Sequence, residues 1–440
     1  MNLRHFLQDF FGRLHAEEIK FCVLRNHSGL PDTNVGSDID LLVQDKDLER
    51  AIHLLASLPG LSVTDLASRP YVTSVFIHSV DRACLQVDLV SSLSWLGATI
   101  LSVADVLDRA VPHERCEWIL VPDVTDEAIV SFFSSYLVGG FIKSRYAPQY
   151  SPIFHSDPTA VEARIGDRIS SALLRRVVLE VGRGNEAAAL RELWPVRRSL
   201  LSRALARQPI GTVLRLLEHY FAELRVHFSG TNICTAAFFG PDGTGKSSVI
   251  EALQPRLSHC SKIIQVRHLR PRLPGLERLA PDLAPVVDPH GQPEKGKVKS
   301  HIQLILWLVA YWWDRLMRRK RNATLQIYDR YFHDVLVDPK RYRYGGSRAF
   351  ARLLSRAVPR LDLAVFLDAP PEVPQARKQE VLPEETARQR QAYLDLARTL
   401  PNAHVVDAAR PLEEVVAEAE AIVLRYIATR TARRLGLDEV

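Results

Sequence analysis

Gly240-Pro241-Asp242-Gly243-Thr244-Gly245-Lys246-Ser247 matches the pattern GxxxxGK[ST] at every fixed position. An apolar segment, ICTAAFF at residues 233–239, precedes it. A helix-compatible segment, SSVIEALQPRL, starts at Ser247-Ser248. Strand, glycine-rich turn and helix are the context that such a loop requires. The glycines let the backbone turn tightly, so that successive N–H groups face phosphate oxygens. The following helix N-terminus adds the positive end of its dipole. Residues 240–248 are therefore the expected ATP-binding loop. Lys246 would neutralise the β- and γ-phosphates, and Ser247 would ligate Mg²⁺.

Working outward, apolar runs recur at residues 262–268, 324–328, 363–367 and 404–406, with helix-like segments between them. That alternation predicts an α/β unit, a parallel sheet with helices on both faces. Residues 271–293, rich in Pro and Gly, are expected to form an irregular substrate loop. Asp329 follows one apolar run and so falls at a strand's C-terminal end, the edge where open parallel sheets bind ligands. Its carboxylate can hold Mg²⁺ or take a proton from an acceptor, and Arg330 can clamp a phosphate bidentately. A helix-capping Asp beside a surface Arg is the plain structural alternative.

GPDGTGK, Asp329-Arg330-Tyr331, FLDAPPE (366–372), RQRQAYLDLA (388–397) and VVDAARPLEEV (405–415) together resemble the thymidylate kinase group of P-loop kinases. The resemblance covers about residues 233–425. It implies an ATP- and Mg²⁺-dependent phosphotransferase whose Asp-Arg pair lies beside the acceptor phosphate. It also implies lid arginines, here Arg377, Arg388 and Arg390, and an adenine-side loop after Asp407. Lys246, Asp329, Arg330, Arg388 and Arg390 are then the candidate catalytic residues, and Ser247 and Asp329 the candidate Mg²⁺ ligands.

The sequence departs from that group on the acceptor side. No Arg-Glu-Pro-Gly-Gly stretch is present, only His268-Leu269-Arg270-Pro271. The helix before Asp329, LILWLVAYWWDRLMRRKR, is unusually aromatic. The segment after it, HDVLVDPKRYRYGG, is not found in thymidylate kinases. Within it Arg341, Tyr342, Arg343 and Tyr344 offer charge and ring faces to an acceptor. The segment resembles thymidylate-kinase-like proteins of bacterial surface-polysaccharide loci, which implies a sugar, glycan or lipid-linked acceptor.

A second constellation lies near the N-terminus. In Val35-Gly36-Ser37-Asp38-Ile39-Asp40-Leu41-Leu42-Val43, Asp38 and Asp40 share one strand face. Asp88 sits in another apolar strand, LQVDLV. Three carboxylates from two strands can bind divalent metal for phosphoryl or nucleotidyl transfer. The set resembles the minimal polymerase-β-type nucleotidyltransferase fold, over about residues 15–110. The Gly-Ser pair that holds the triphosphate in that fold is replaced by Leu24-Arg25-Asn26-His27, where Arg25 could substitute as a phosphate clamp. An active or metal-binding site, a degenerate scaffold and a chance pattern are the three alternatives.

Between these regions, RISSALLRRVVLEV and IGTVLRLLEHYFAELRVHF carry helical spacing, and Pro148, Pro152 and Pro158 mark a loop. Lys143, Arg145 and His155 could touch a nucleotide, but Phe132, Phe133, Tyr136 and Phe141 are expected in the core. The N-terminus reads as an amphipathic helix. The expected organisation is an α+β nucleotidyltransferase-like domain over 1–110, a helical domain over 111–230 and a kinase-like domain over 231–440.

Composition sets wider bounds. At 47% hydrophobic and 25% charged residues, the chain of 440 is globular. The net charge of +6 suits phosphate-bearing ligands and gives no basic stripe for nucleic acid. Five cysteines without a CxxC pair argue against a disulfide framework or zinc site and fit a reducing compartment. The longest apolar run, LILWLVAYWW, covers about half a bilayer's hydrocarbon and is expected to be a buried helix, so the protein is placed in the cytoplasm. Taken together, the sequence points to a kinase acting on a nucleotide, sugar or glycan-type acceptor. The alternative is nucleotidyl transfer in the N-terminal region, with the P-loop domain as an ATP-binding switch or a non-catalytic scaffold.

Overall fold

A computed structural model describes residues 2–34, 38–79, 84–228, 234–258, 260–261, 264–269, 293–319, 325–377 and 383–436. The chain divides into two compact units, Met1–Val226 with Leu435–Asp438, and His227–Arg434 with Glu439–Val440.

The first unit opens with α1 (Leu3–Ala16), which buries Phe6, Leu7, Phe10, Phe11 and Leu14 along one helical stripe. Strands β1 (Phe21–Val23) and β2 (Asp38–Val43) follow. Next come α2 (Leu48–Ala56), β3 (Leu61–Arg69), β4 (Val72–Ser79) and β5 (Cys84–Val90). They form one sheet in the order β1-β2-β5-β4-β3. Only the β2–β5 pair is parallel, and its register sets Asp40 beside Asp88. The pleat sorts side chains between the two faces. Phe21, Val23, Leu41 and Val43 join the core of α1 and α2. Cys22, Leu24, Leu42 and Val90 join a second core with the following helices. Asp40, two residues before Leu42, and Asp38, four before it, lie on that second face.

Two small hairpins come next, β6 (Leu93–Trp95) with β7 (Ala98–Leu101), and β8 (Val111–His113) with β9 (Cys116–Val121), separated by α3 (Val103–Asp108). The chain then turns helical: α4 (Val124–Phe133), α5 (Ala147–Ser156), α6 (Pro158–Ile165), α7 (Ser171–Gly182), α8 (Glu186–Arg191), α9 (Leu193–Arg207) and α10 (Pro209–Phe228). The expected proline loop is two helices instead. Pro148 and Pro158 occupy first-turn positions, where a missing N–H costs nothing. Phe132, Phe133 and Tyr136 are core residues, whereas Phe141 is exposed.

The second unit is a five-stranded parallel sheet in the order β11-β12-β10-β13-β14. Its elements are β10 (Cys234–Phe239), α11 (Lys246–Leu257), β11 (Ile264–His268), α12 (Lys297–Arg319), β12 (Leu325–Asp329), α13 (Asp334–Val337), α14 (Arg348–Ala357), β13 (Leu363–Asp368), α15 (Glu372–Arg377), α16 (Pro383–Ala397), β14 (Ala403–Asp407) and α17 (Leu412–Arg434). All five predicted strands are present. The central strand β10 is buried at every residue, as a sheet covered on both faces demands. The apolar run 304–313 is helical but only half covered. Leu304, Trp307, Ala310 and Tyr311 are buried, while Val309, Trp312 and Trp313 are exposed. Among the described residues no helix is long and apolar enough to cross a membrane.

Candidate functional site

The loop between β10 and α11 crosses the C-terminal edge of the sheet. Three of its glycines have backbone requirements that other residues meet only with strain. Gly240 has φ +148° and lies against the Leu367 carbonyl. Gly243 has φ +83° and lies against Pro374 of α15. Gly245, at φ +86°, caps α11. Lys246 is buried and curls back, its Nζ donating to the carbonyls of Gly240 at 2.8 Å and Pro241 at 2.7 Å. Burial, and then the charge of Arg330, push its pKa down to about 8 against the pull of Asp242, Asp329 and Asp334.

Strand β12 pairs with β10 and ends at Asp329, which brings that carboxylate to the loop. Ser247 Oγ donates to Asp329 Oδ2 at 2.9 Å. His268, at the end of β11, has its Nδ1 3.3 Å from the same oxygen. Burial pushes Asp329 up, but His268, Lys246, Arg330 and Ser247 together outweigh it and hold the carboxyl below its ordinary value. The hydrogen bond to Asp329 in turn raises His268. Asp329 Oδ1 is buried with no hydrogen-bond partner among the described residues. An orphaned oxygen beside a Ser hydroxyl fits a divalent cation.

Arg330 adopts the left-handed region (φ +71°), a conformation that costs a non-glycine residue energy and has to be fixed by its surroundings. Its amide donates to Phe238 O at 3.0 Å. Its Nη1 donates to Asp334 at 2.8 Å and to the Tyr393 hydroxyl at 3.2 Å. Its Nη2 donates to the P-loop carboxylate of Asp242. Arg341 Nη1 donates to the other oxygen of Asp242.

Lys246, Ser247, Asp329, Arg330 and Arg341 therefore converge on the P-loop. The other candidates are engaged elsewhere. Tyr342 is buried and donates to Asp334. Arg343 Nε donates to Pro293 O at 2.9 Å. Arg388 is paired with Glu385 at 2.7 and 2.5 Å, and Arg390 holds Asp368 bidentately at 2.7 and 2.8 Å. The side chain of Arg377, Arg270-Pro271 and nearly all of 271–293 lie outside the described residues. Asp334 was missed by sequence reasoning, although its spacing of four from Arg330 is the available signal.

In the first unit, ligand oxygens of Asp38, Asp40 and Asp88 lie within 4.8 Å of one another. Arg25 takes both oxygens of Asp40, at 2.7 and 3.0 Å. Gln86 donates to Asp88 at 2.8 Å. Burial and the charges of Asp40 and Asp88 push Asp38 up. Lys143 is held below its ordinary value by burial and by Arg25 and Arg145. All three cations lie over the Tyr146 ring, at 4.7 to 5.8 Å. Gly36 and Ser37 lie outside the described residues.

No family model matches the chain. Among curated proteins, it is similar to the probable thymidylate kinase of Pyrobaculum aerophilum, 24% identical over 204 residues, covering 43% of this chain and 96% of that protein. The chain contains a thymidylate kinase-like region.

Proposed function

We propose that the second unit is an ATP- and Mg²⁺-dependent phosphotransferase, acting on a nucleotide, sugar or glycan-type acceptor. One observation carries this reading. The P-loop, the Asp329 carboxylate and the Arg330 guanidinium meet at one sheet edge, with Ser247 bonded to Asp329 and Arg330 to Asp242. A module that only binds ATP has no need of an Asp-Arg pair on the acceptor side.

In this reading the loop amides receive the phosphates, and Lys246 leaves the Gly240 and Pro241 carbonyls to reach them. Ser247 and Asp329 would hold Mg²⁺, which when bound offsets charge on the phosphate oxygens. Arg330, fixed from behind by Asp334 and Tyr393, would meet the transferring group by exchanging its bond to Asp242 for one to phosphate. Arg388 and Arg390 would act as lid residues after exchanging Glu385 and Asp368 for phosphate. Catalysis is then mostly positioning and electrostatics.

The test is ATP turnover with and without an acceptor panel, in wild type and in Lys246→Ala and Asp329→Ala. Acceptor-stimulated turnover lost in both variants supports the kinase. Equal turnover in all three proteins removes it. A second reading, nucleotidyl transfer in the first unit, is favoured by the Asp38–Asp40–Asp88 cluster. It predicts incorporation from α-labelled nucleotide that disappears in Asp38→Ala.

A further inference from the structure

Helix α12 has two apolar faces, and the fold covers one of them. Leu304, Trp307 and Tyr311 are buried in the core of the second unit. Val298, Ile302, Ile305, Val309, Trp312 and Leu316 recur at alternating steps of four and three, so they line a second stripe along the helix. These six are 44% to 72% exposed. Trp313 is exposed beside them. A helix that is apolar all round is ordinarily buried all round. The last part of the stripe, with Leu308 and Arg315, lines an open groove of about 530 Å³. Apolar residues exposed singly need no explanation, whereas a contiguous stripe marks an interaction surface.

The charges on this side of the unit are of one sign. Lys297 and Lys299 are exposed at the start of α12. Helix α14 is tied to α12 at both ends. His301 Nε2 accepts from the Ser347 amide at 3.1 Å, and Trp312 Nε1 donates to Ala357 O at 2.9 Å. Arg348, Arg352 and Arg356 of α14 are exposed and, spaced by four, share one face of that helix. Leu353 beside them is exposed as well. Asp314 is the only acidic residue of either helix. It is buried and accepts from the Tyr328 hydroxyl at 2.8 Å.

This charge pattern selects the occupant. A second copy seated on the stripe by a two-fold axis would set the same cations against themselves. An acidic lipid surface takes stripe and cations together, because interfacial helices combine Trp and aliphatic residues with Lys or Arg. No described helix is long and apolar enough to cross a bilayer, so α12 lies along the surface rather than through it.

We propose that the α12 stripe and the α14 arginines dock the second unit on an anionic phospholipid surface. Trp312 and Trp313 enter the boundary between headgroups and acyl chains, and Lys297, Lys299, Arg348, Arg352 and Arg356 meet lipid phosphates. None of these residues belongs to the P-loop edge, so docking is independent of the kinase reading.

The test is co-sedimentation of the full chain with vesicles of phosphatidylcholine alone, and of equal parts phosphatidylcholine and phosphatidylglycerol. Wild type binds the acidic vesicles and not the neutral ones, and binding falls as salt rises. Ile305→Asp, at an exposed position, weakens binding about tenfold or more, and Ile305→Leu retains it. Arg352→Gln weakens it about fivefold. Brominated acyl chains quench wild-type tryptophan fluorescence, and quench it less in Trp313→Phe. Thermal melting followed by circular dichroism is the same in Ile305→Asp as in wild type; if that variant unfolds, Arg352→Gln decides. No binding to acidic vesicles, equal binding to both kinds, or binding that ignores these substitutions overturns the proposal. So does a lipid-free dimer in analytical ultracentrifugation that Ile305→Asp dissociates, since the stripe then belongs to a second copy.

Discussion

Two sites in this chain use the same side chains to different ends. In each, a carboxylate on one strand lies close to an arginine and to a second acidic group. In the first unit Arg25 takes both oxygens of Asp40, the middle member of the Asp38–Asp40–Asp88 cluster. In the second, Arg330 binds the loop carboxylate Asp242 and leaves Asp329 to Ser247, with Asp329 Oδ1 unpartnered among the described residues. The P-loop site keeps an open ligand position. The acidic cluster supplies its own cation. Residue type therefore does not distinguish the two sites; the pairing of each carboxylate does.

The largest effect that could break this contrast is in turnover. Lys246→Ala should lower acceptor-dependent kcat/KM by about 10³ or more, whereas Asp38→Ala should leave it within about twofold, since additive effects are expected of independent sites. An equal loss in both would merge the two sites into one activity. Asp329→Asn is next: kcat should fall by about 10² while nucleotide affinity, read by calorimetry, changes only a few-fold.

These effects bear on what the sequence could reveal. The three inner strands of the second unit were legible because a strand buried on both faces is a continuous apolar run, as in Cys234–Phe239. The P-loop was legible because glycine spacing encodes a backbone conformation. Leu61–Arg69 was not. It is an edge strand with a register shift between Val63 and Asp65, and its sequence, LSVTDLASR, does not alternate. The short hairpin Val111–His113 with Cys116–Val121 was hidden for a similar reason, since its register also shifts. The pairings that decide the sites were invisible. Arg25 with Asp40 and Arg341 with Asp242 span 15 and 99 residues, and no local spacing encodes them.

A smaller effect sharpens the first unit's side of the comparison. Arg25→Gln should free Asp40 and tighten Mn²⁺ binding there by about tenfold, read by electron paramagnetic resonance, because an opposing charge beside the ligand is removed. Unchanged Mn²⁺ affinity would show that Arg25 does not occupy the cation's place.

The smallest effect is a proton. Lys246 sits near pKa 8 in the free protein. Bound phosphates favour its charged form, so ATP binding should take up close to ~1 proton at pH 9 and only ~0.1 near pH 7. Calorimetry in buffers of different ionisation enthalpy reads this directly. No uptake at pH 9, or equal uptake in Lys246→Met, would remove Lys246 from the phosphate site.

The central claim is that the P-loop edge transfers phosphate. It is tested most directly with ATP labelled separately at the α- and γ-phosphates, incubated with Mg²⁺ and the acceptor panel. The account predicts that γ-label reaches an acceptor in wild type and in Asp38→Ala, and is lost in Lys246→Ala. Transfer of α-label that depends on Asp38 and survives Lys246→Ala, with no γ-transfer, would contradict it.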